Sequence, residues 1–206
     1  MTVGGTCAGA SDAGAEPPPQ FAHELCSVRW PLTSAPPNLL TEIENQNVVA
    51  SADAAGNILL AVTFNGTLTA NGTKVTTQGT SDTLVAKFDS QCHLQWMKDL
   101  GAVGAGIIAT SVTSDAASDV ILGGTFNGNI DFGFGAQPGG GTFSPQVFVV
   151  ALTASGAPLW AGREYVGVFL GLASDPKGEV VVALDGTQAD FDAGASMNTS
   201  FWGSRG

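Results

Sequence analysis

The sequence predicts an all-β fold of tandem four-stranded antiparallel sheets, and three observations carry that prediction. Only 12% of the 206 residues are charged while Gly numbers 28, a balance that suits short strands and turns over charged amphipathic helices. A polar turn that opens on Asp and feeds a run rich in β-branched residues occurs three times at nearly constant spacing. Other short landmarks recur between those turns in constant order, the signature of a repeat architecture.

The segments follow in chain order. Residues 1–20 read as a flexible acidic tether, because Ala8 to Pro19 contain almost no bulky apolar side chain to offset the entropy of ordering. Residues 21–46 read as a linker or capping segment, with aromatic and apolar residues from Phe21 to Trp30 and a turn-rich stretch from Pro31 to Pro37. Residues 47–206 form the repeat domain, in units of about 47–106, 107–166 and an incomplete 167–206.

Within that domain Asp53-Ala54-Ala55-Gly56-Asn57 leads into Ile58-Leu59-Leu60, and Asp115-Ala116-Ala117-Ser118-Asp119 leads into Val120-Ile121-Leu122. A third copy, Asp175-Pro176-Lys177-Gly178-Glu179, leads into Val180-Val181-Val182; the three Asp residues are 62 and 60 positions apart. Each copy is a turn followed by a buried strand. Thr63-Phe64-Asn65-Gly66 recurs as Thr125-Phe126-Asn127-Gly128, and Asp131-Phe132 as Asp190-Phe191. Leu84-Val85-Ala86-Lys87-Phe88, with Trp96 eight residues on, matches Phe148-Val149-Val150-Ala151-Leu152 with Trp160.

One unit therefore contains a strand before the Asp turn (Ile107 to Thr113), one after it (Val120 to Phe126), a short hairpin, then Gln146 to Leu152 and Leu159 to Tyr165. Four strands per unit is the content of a propeller blade. Trp96 and Trp160 are expected as core anchors that fill the gap between neighbouring sheets. The third unit ends without its later landmarks, so the array is expected to be a partial or open propeller with exposed sheet edges that invite pairing.

These landmarks resemble the bacterial seven-bladed β-propeller repeat family. Asp53, Gly56 and Asn57 carry its first motif, Thr63 to Gly66 and Thr125 to Gly128 its second, Asp131-Phe132-Gly133 its third, and Leu84 to Asp89 with Trp96 its last. The resemblance covers about Asn47 to Phe191. It departs from the family pattern at Ser118, where the turn Gly is missing, and at Asp192, which follows Asp190-Phe191 in place of Gly. The resemblance implies an exported or cell-surface bacterial protein whose repeat brings no established catalytic residues.

Charge narrows the partners. Seven Lys+Arg stand against 18 Asp+Glu, a net charge of −11, with the basic residues scattered singly. Nucleic-acid binding needs a basic patch, so no nucleic-acid partner is expected, and an anionic membrane surface is disfavoured in the same way. No run of about 18 apolar residues suits a membrane span. The N-terminus lacks a basic start and apolar stretch of the export type, which reads either as a processed piece or as a chain that stays inside the cell; the family resemblance favours an extracellular or cell-surface location.

Several residues invite chemistry. Asp53, Asn57, Asp115, Asp119, Asp175 and Glu179 place two oxygen-bearing side chains in each turn, a weak Ca²⁺ pattern; the competing reading is an Asx-type turn in which the side chain bonds its own backbone. His23 and His93 are the histidines available to a nucleophile, and His93 beside Cys92 reads as a surface turn. Asp131, Asp190 and Asp192 could supply paired carboxylates for glycoside hydrolysis, but recurrence at one point in the unit fits a structural turn. Gly139-Gly140-Gly141 lacks the Lys and helix of a phosphate loop, and Cys7 and Cys26 either pair or stay free thiols beside Cys92. Asn65-Gly66-Thr67, Asn71-Gly72-Thr73 and Asn198-Thr199-Ser200 match the glycosylation pattern, yet Asn-Gly is also a hairpin signal.

The expectation is a non-catalytic scaffold or interaction module with no cofactor, binding a protein or carbohydrate through loops and able to self-associate through open edges. The alternatives are a partial or divergent carbohydrate-active propeller hydrolase or lyase, and a degenerate fragment without independent function.

Overall fold

A computed structural model of the chain describes residues 47–70, 73–91, 93–141, 144–164, 168–175, 179–185 and 200–202. The tether, the capping segment, His23, the three cysteines, Asp190 and Asp192 lie outside the described residues.

The first four-stranded sheet contains β1 (Asn47–Ala52), β2 (Ile58–Phe64), β5 (Asp82–Phe88) and β6 (Leu94–Leu100), adjacent in that order and antiparallel throughout. Between β2 and β5 a separate hairpin is inserted, β3 (Thr67–Ala70) with β4 (Thr73–Thr76). The second sheet repeats the plan with β7 (Gly106–Ser114), β8 (Val120–Asn127), β11 (Gln146–Leu152) and β12 (Pro158–Glu164). Its inserted hairpin is β9 (Asn129–Asp131) with β10 (Ala136–Pro138). A third sheet pairs β13 (Val168–Ser174) antiparallel to β14 (Val180–Asp185), and β15 (Ser200–Trp202) lies parallel to β14. The expected all-β, four-stranded plan is thus present, and the described sheets do not close a ring.

The period-2 alternation of side chains decides how the sheets stack. In the first sheet Leu59, Ala61 and Val85 face the second sheet, while Leu60, Val62, Phe64 and Leu84 face the opposite way. In the second sheet Val120, Leu122, Phe148 and Val150 face back toward the first, and Ile121, Val147, Val149 and Ala151 face the third. Val180 and Val182 of β14 complete that second seam. Every sheet therefore presents one kind of face forward and the other backward, a head-to-tail arrangement. Pairing register within each sheet preserves this parity, because a one-residue slip would turn every side chain of the strand to the wrong face.

Each inserted hairpin folds over the backward face of its own sheet. Leu68 and Val75 cover Phe64 and Leu84 in the first sheet. In the second, Ile130 and Phe132 join Phe126 and Phe148. Phe126 meets Phe132 edge-on at 5.6 Å and Phe148 edge-on at 6.2 Å, and Phe132 stacks on Phe148 at 5.3 Å. All three rings are fully buried, each contributing about 1.5–3 kcal/mol through burial and roughly 0.5–1.5 kcal/mol per ring pair through geometry. Trp96 and Trp160 lie where expected, in the gaps between neighbouring sheets, each partly buried against a seam cluster, while the Phe trio fills the backward face of the second sheet.

Bulges fall at matching places. Pairing skips Gln95 in β6 and Leu159 in β12, just after the hairpin turns. It also skips Thr110 in β7 and Leu170 in β13. A bulge adds one unpaired residue and sharpens the local twist; β1 pairs with β2 without one. The bare Cα of Gly123 receives the ring of Phe169; a Cβ there would lie 2.3 Å from Phe169 Cζ. That position is what lets the third sheet approach the second.

Candidate functional site

Strand direction divides the loops between two sides of the stack. Turns 53–57, 89–93, 115–119, 153–157 and 175–179 share one side, since each links a first to a second strand or a third to a fourth. The base of the second inserted hairpin and the link 101–105 between the first two sheets lie on the other.

On the turn side the predicted Asp residues serve their own backbones. Asp53 Oδ1 accepts from Ala55 N at 3.0 Å and Asn57 N at 2.9 Å, and Oδ2 accepts from Asn57 Nδ2 at 2.8 Å. Asp115 Oδ1 accepts from the amides of Ala117 and Asp119, both at 2.9 Å, and Asp175 Oδ1 from Glu179 N at 2.8 Å. Asp89 and Thr153 repeat the device at the turns between third and fourth strands. Five-residue turns of this kind need a left-handed residue before their last position. Gly56 (φ 79°) and Gly156 (φ 86°) supply it, and in the second sheet Ser118 takes it at φ 62°. The missing Gly thus leaves the turn intact.

These turns also tie neighbouring sheets. Lys87 Nζ lies 3.1 Å from Asp53 Oδ2 and donates to Ser118 O at 2.9 Å. Trp96 Nε1 donates to Ala154 O of the second sheet at 2.9 Å, and within that sheet Asp119 Oδ1 accepts from Ala154 N at 2.8 Å. Burial works against ionisation of Asp53, but the bonds from Asn57 and Lys87 outweigh it and hold the carboxyl below the usual range. The six turn residues considered for Ca²⁺ remain in separate turns, and both Asp53 oxygens are engaged by the protein. Among the described residues no group of three or more His, Cys, Asp and Glu side chains gathers at one point. His93 is exposed, its Nδ1 3.1 Å from Asp89 Oδ2, and its backbone N–H holds that carboxyl below its ordinary range.

The tip of the second inserted hairpin, which reaches back to Pro158 at the turn end of β12, carries an exposed aromatic. Asp131 Oδ1 accepts from Gly133 N at 2.7 Å and Gly135 N at 3.0 Å. Both glycines have positive φ, and between them Phe134 is held at 48% exposure while Phe132 points into the core at 2%. Asp131, considered as a carboxylate for hydrolysis, is thereby committed to the turn that presents Phe134. Gly139 and Gly140 lie behind this hairpin, exchanging backbone bonds with Gly128.

Sequence reasoning passed over a pair of carboxylates on the backward face of the first sheet. Asp82 is fully buried, its Oδ2 accepting from Gln78 N at 2.8 Å while Oδ1 has no partner. Asp99 also has an inner oxygen, Oδ1, buried without a partner. Burial, then the Asp82 charge, push Asp99 up to about 6 against a Gln78 hydrogen bond that lowers it. Burial likewise raises Asp82 against the Gln78 and Gly79 amides. The second sheet has Gln146 and Arg163 at these two places, and that departure within an otherwise repeating pattern was the available signal.

No protein-family model matches the chain, and no curated protein sequence matches it.

Proposed function

We propose that the chain is a non-catalytic, propeller-type repeat module that binds a protein or carbohydrate partner outside the cell through exposed loops, among them the tip of its second inserted hairpin. The observation that supports this reading is Phe134, an aromatic ring held in solvent by a turn that Asp131 and two left-handed glycines fix. A rigid exposed aromatic contributes large contact area at little ordering cost, which is why such residues anchor interfaces.

The enzyme reading has one observation in its favour, since a carboxyl raised toward neutrality beside a second carboxyl is the pattern of a general acid. The inner oxygens of Asp82 and Asp99 are out of contact with solvent, however, and a sugar would have to reach them. A scaffold also explains the structural use of Asp131 without a further role.

Binding of the purified chain to a panel of insoluble polysaccharides, compared between wild type and Phe134→Ser, tests the proposal. Retention on one polysaccharide that F134S lowers by about tenfold, without loss of thermal stability, supports it. Release of reducing or unsaturated sugar ends by the wild type would replace it with the enzyme.

A further inference from the structure

We propose that Asp82 and Asp99 form a proton-operated clasp on the joint between the first and second sheets, closed when the pair holds a proton and loosened when both carboxylates are charged. The inference goes beyond the binding module and stands independently of its ligand.

Register places the two groups together. Leu84 pairs with Asp99 and Thr83 with Leu100, so Asp82 and Asp99 are diagonal neighbours on one face of adjacent strands, within reach of each other. Gly101 makes the room: a Cβ on it would lie 2.1 Å from Asp82 Cγ and 2.2 Å from Oδ2. The Asp82 carboxyl therefore lies across the end of β6. Two buried inner oxygens then lack donors, and a carboxylate can only accept, whereas a carboxylic acid can donate. A proton on the pair removes the repulsion and supplies the missing donor.

The described elements packed around the pair bring no compensating cation. Phe64 of β2 and Leu84 of β5 are apolar, and the preceding loop offers Gln78 and the amide of Gly79. Lys98, next to Asp99, belongs to the other face by strand alternation. Lys74 is exposed on β4, Lys87 is bound to Asp53 and Ser118, and the link 102–105 toward the second sheet contains no ionisable side chain. Each carboxylate is thus the other's ionisable neighbour among these elements.

Asp82 also holds the segment that staples the sheets. The loop it anchors through Gln78 N runs directly into the second sheet, where Thr80 N donates to Ala105 O at 2.7 Å and Ile107 N donates to Ser81 O at 3.0 Å. Thr83 Oγ1 donates to Ile107 O at 3.3 Å, and Ser81 bridges Gly106 in parallel. Gly79 lies so near that a Cβ would fall 1.9 Å from Ala105 O. Displacing the Asp82 carboxyl loosens this run of bonds first. The raised Asp99 fixes the sign: its contribution is full below its ordinary value of 3.8 and is lost as pH rises through about 6.

Amide hydrogen exchange on the wild-type chain and on Asp99→Asn, from about pH 5 to about pH 7.5 and corrected for intrinsic rates, tests the clasp. Protection of the Thr80 and Ile107 amides should fall about fivefold across this range in the wild type, below the roughly tenfold that the full shift gives over this window because Asp99 is partly exposed. The amides of β2 and β5 should hold steady, and D99N should remove most of the change. Constant protection at Thr80 and Ile107 in the wild type, or an unchanged fall in D99N, overturns the proposal. Should D99N fail to fold, carboxyl-carbon titration of wild-type Asp99 decides: a raised midpoint shared with the Ile107 amide supports the clasp, and an ordinary aspartate midpoint defeats it.

Discussion

The Lys87 ammonium sits 3.1 Å from Asp53 Oδ2 with both side chains closed to solvent, and it also donates to the carbonyl of Ser118. One cation thereby fastens the Asp turn of its own sheet to that of the next. Ala151 occupies the equivalent place in the second sheet, opposite Trp160 as Lys87 is opposite Trp96. The charged tie therefore belongs to the first seam.

Lys87→Met should destabilise the protein by roughly 3–5 kcal/mol, because the buried Asp53 carboxylate loses its cation. Asp53→Asn in the same background should restore part of that loss. Urea midpoints of the wild type, both single variants and the double variant measure the coupling. Strictly additive losses would mean that the two charges do not depend on each other.

Ser118 is a second place where a local rule is broken. A side chain in the left-handed region costs roughly 1–2 kcal/mol, and Gly56 occupies the equivalent turn position without that cost. Ser118→Gly should raise stability by about 0.5 kcal/mol, after allowing for the greater freedom of Gly in the unfolded chain. Gly56→Ala should lower it by about 1 kcal/mol. Thermal midpoints of the two variants should move in opposite directions.

The repeat made the sheets legible. Val120 to Phe126 and Gln146 to Leu152 stand out in the sequence because apolar β-branched runs are bounded by Asp, Gly and Asn, and they are β8 and β11 with ends within a residue. The inserted hairpins were harder to read. Their strands are three or four residues long, too short for a periodic signal. Size marked the Trp residues for the gaps between sheets, and the indole N–H of Trp96 finds its acceptor there. Asp82 and Asp99 were invisible as a pair, since their meeting depends on the register of β5 with β6, which spacing alone does not fix.

Trp96 joins two sheets through polar and packing contacts at once. Its Nε1 donates to Ala154 O, and its ring lies where a Cβ on Gly156 would come within 2.8 Å. Trp96→Phe should cost about 1 kcal/mol for the lost hydrogen bond, and more for the area that the smaller ring leaves unfilled. Gly156→Ala should displace the ring, given the positive φ of Gly156. The indole N–H resonance of Trp96 in a nitrogen-correlated proton spectrum should shift in G156A; an unchanged resonance would place the ring elsewhere.

The acid limb of stability should report on Asp53. Burial alone would raise this carboxyl, but Asn57 and Lys87 hold it below its ordinary value of 3.8. A group depressed in the folded state contributes stability that is present above its unfolded value and lost as pH falls through its folded one. Stability should therefore decline with acid below about pH 4 in the wild type, and Asp53→Asn should make that decline shallower even though it lowers stability at neutral pH. Urea midpoints from about pH 5 down to about pH 2 measure the slope. Asp99 acts with the opposite sign over a higher window, so D53N and D99N should flatten different limbs of one curve. Should both variants flatten the same limb, the two carboxyls would not be held in the opposed environments described.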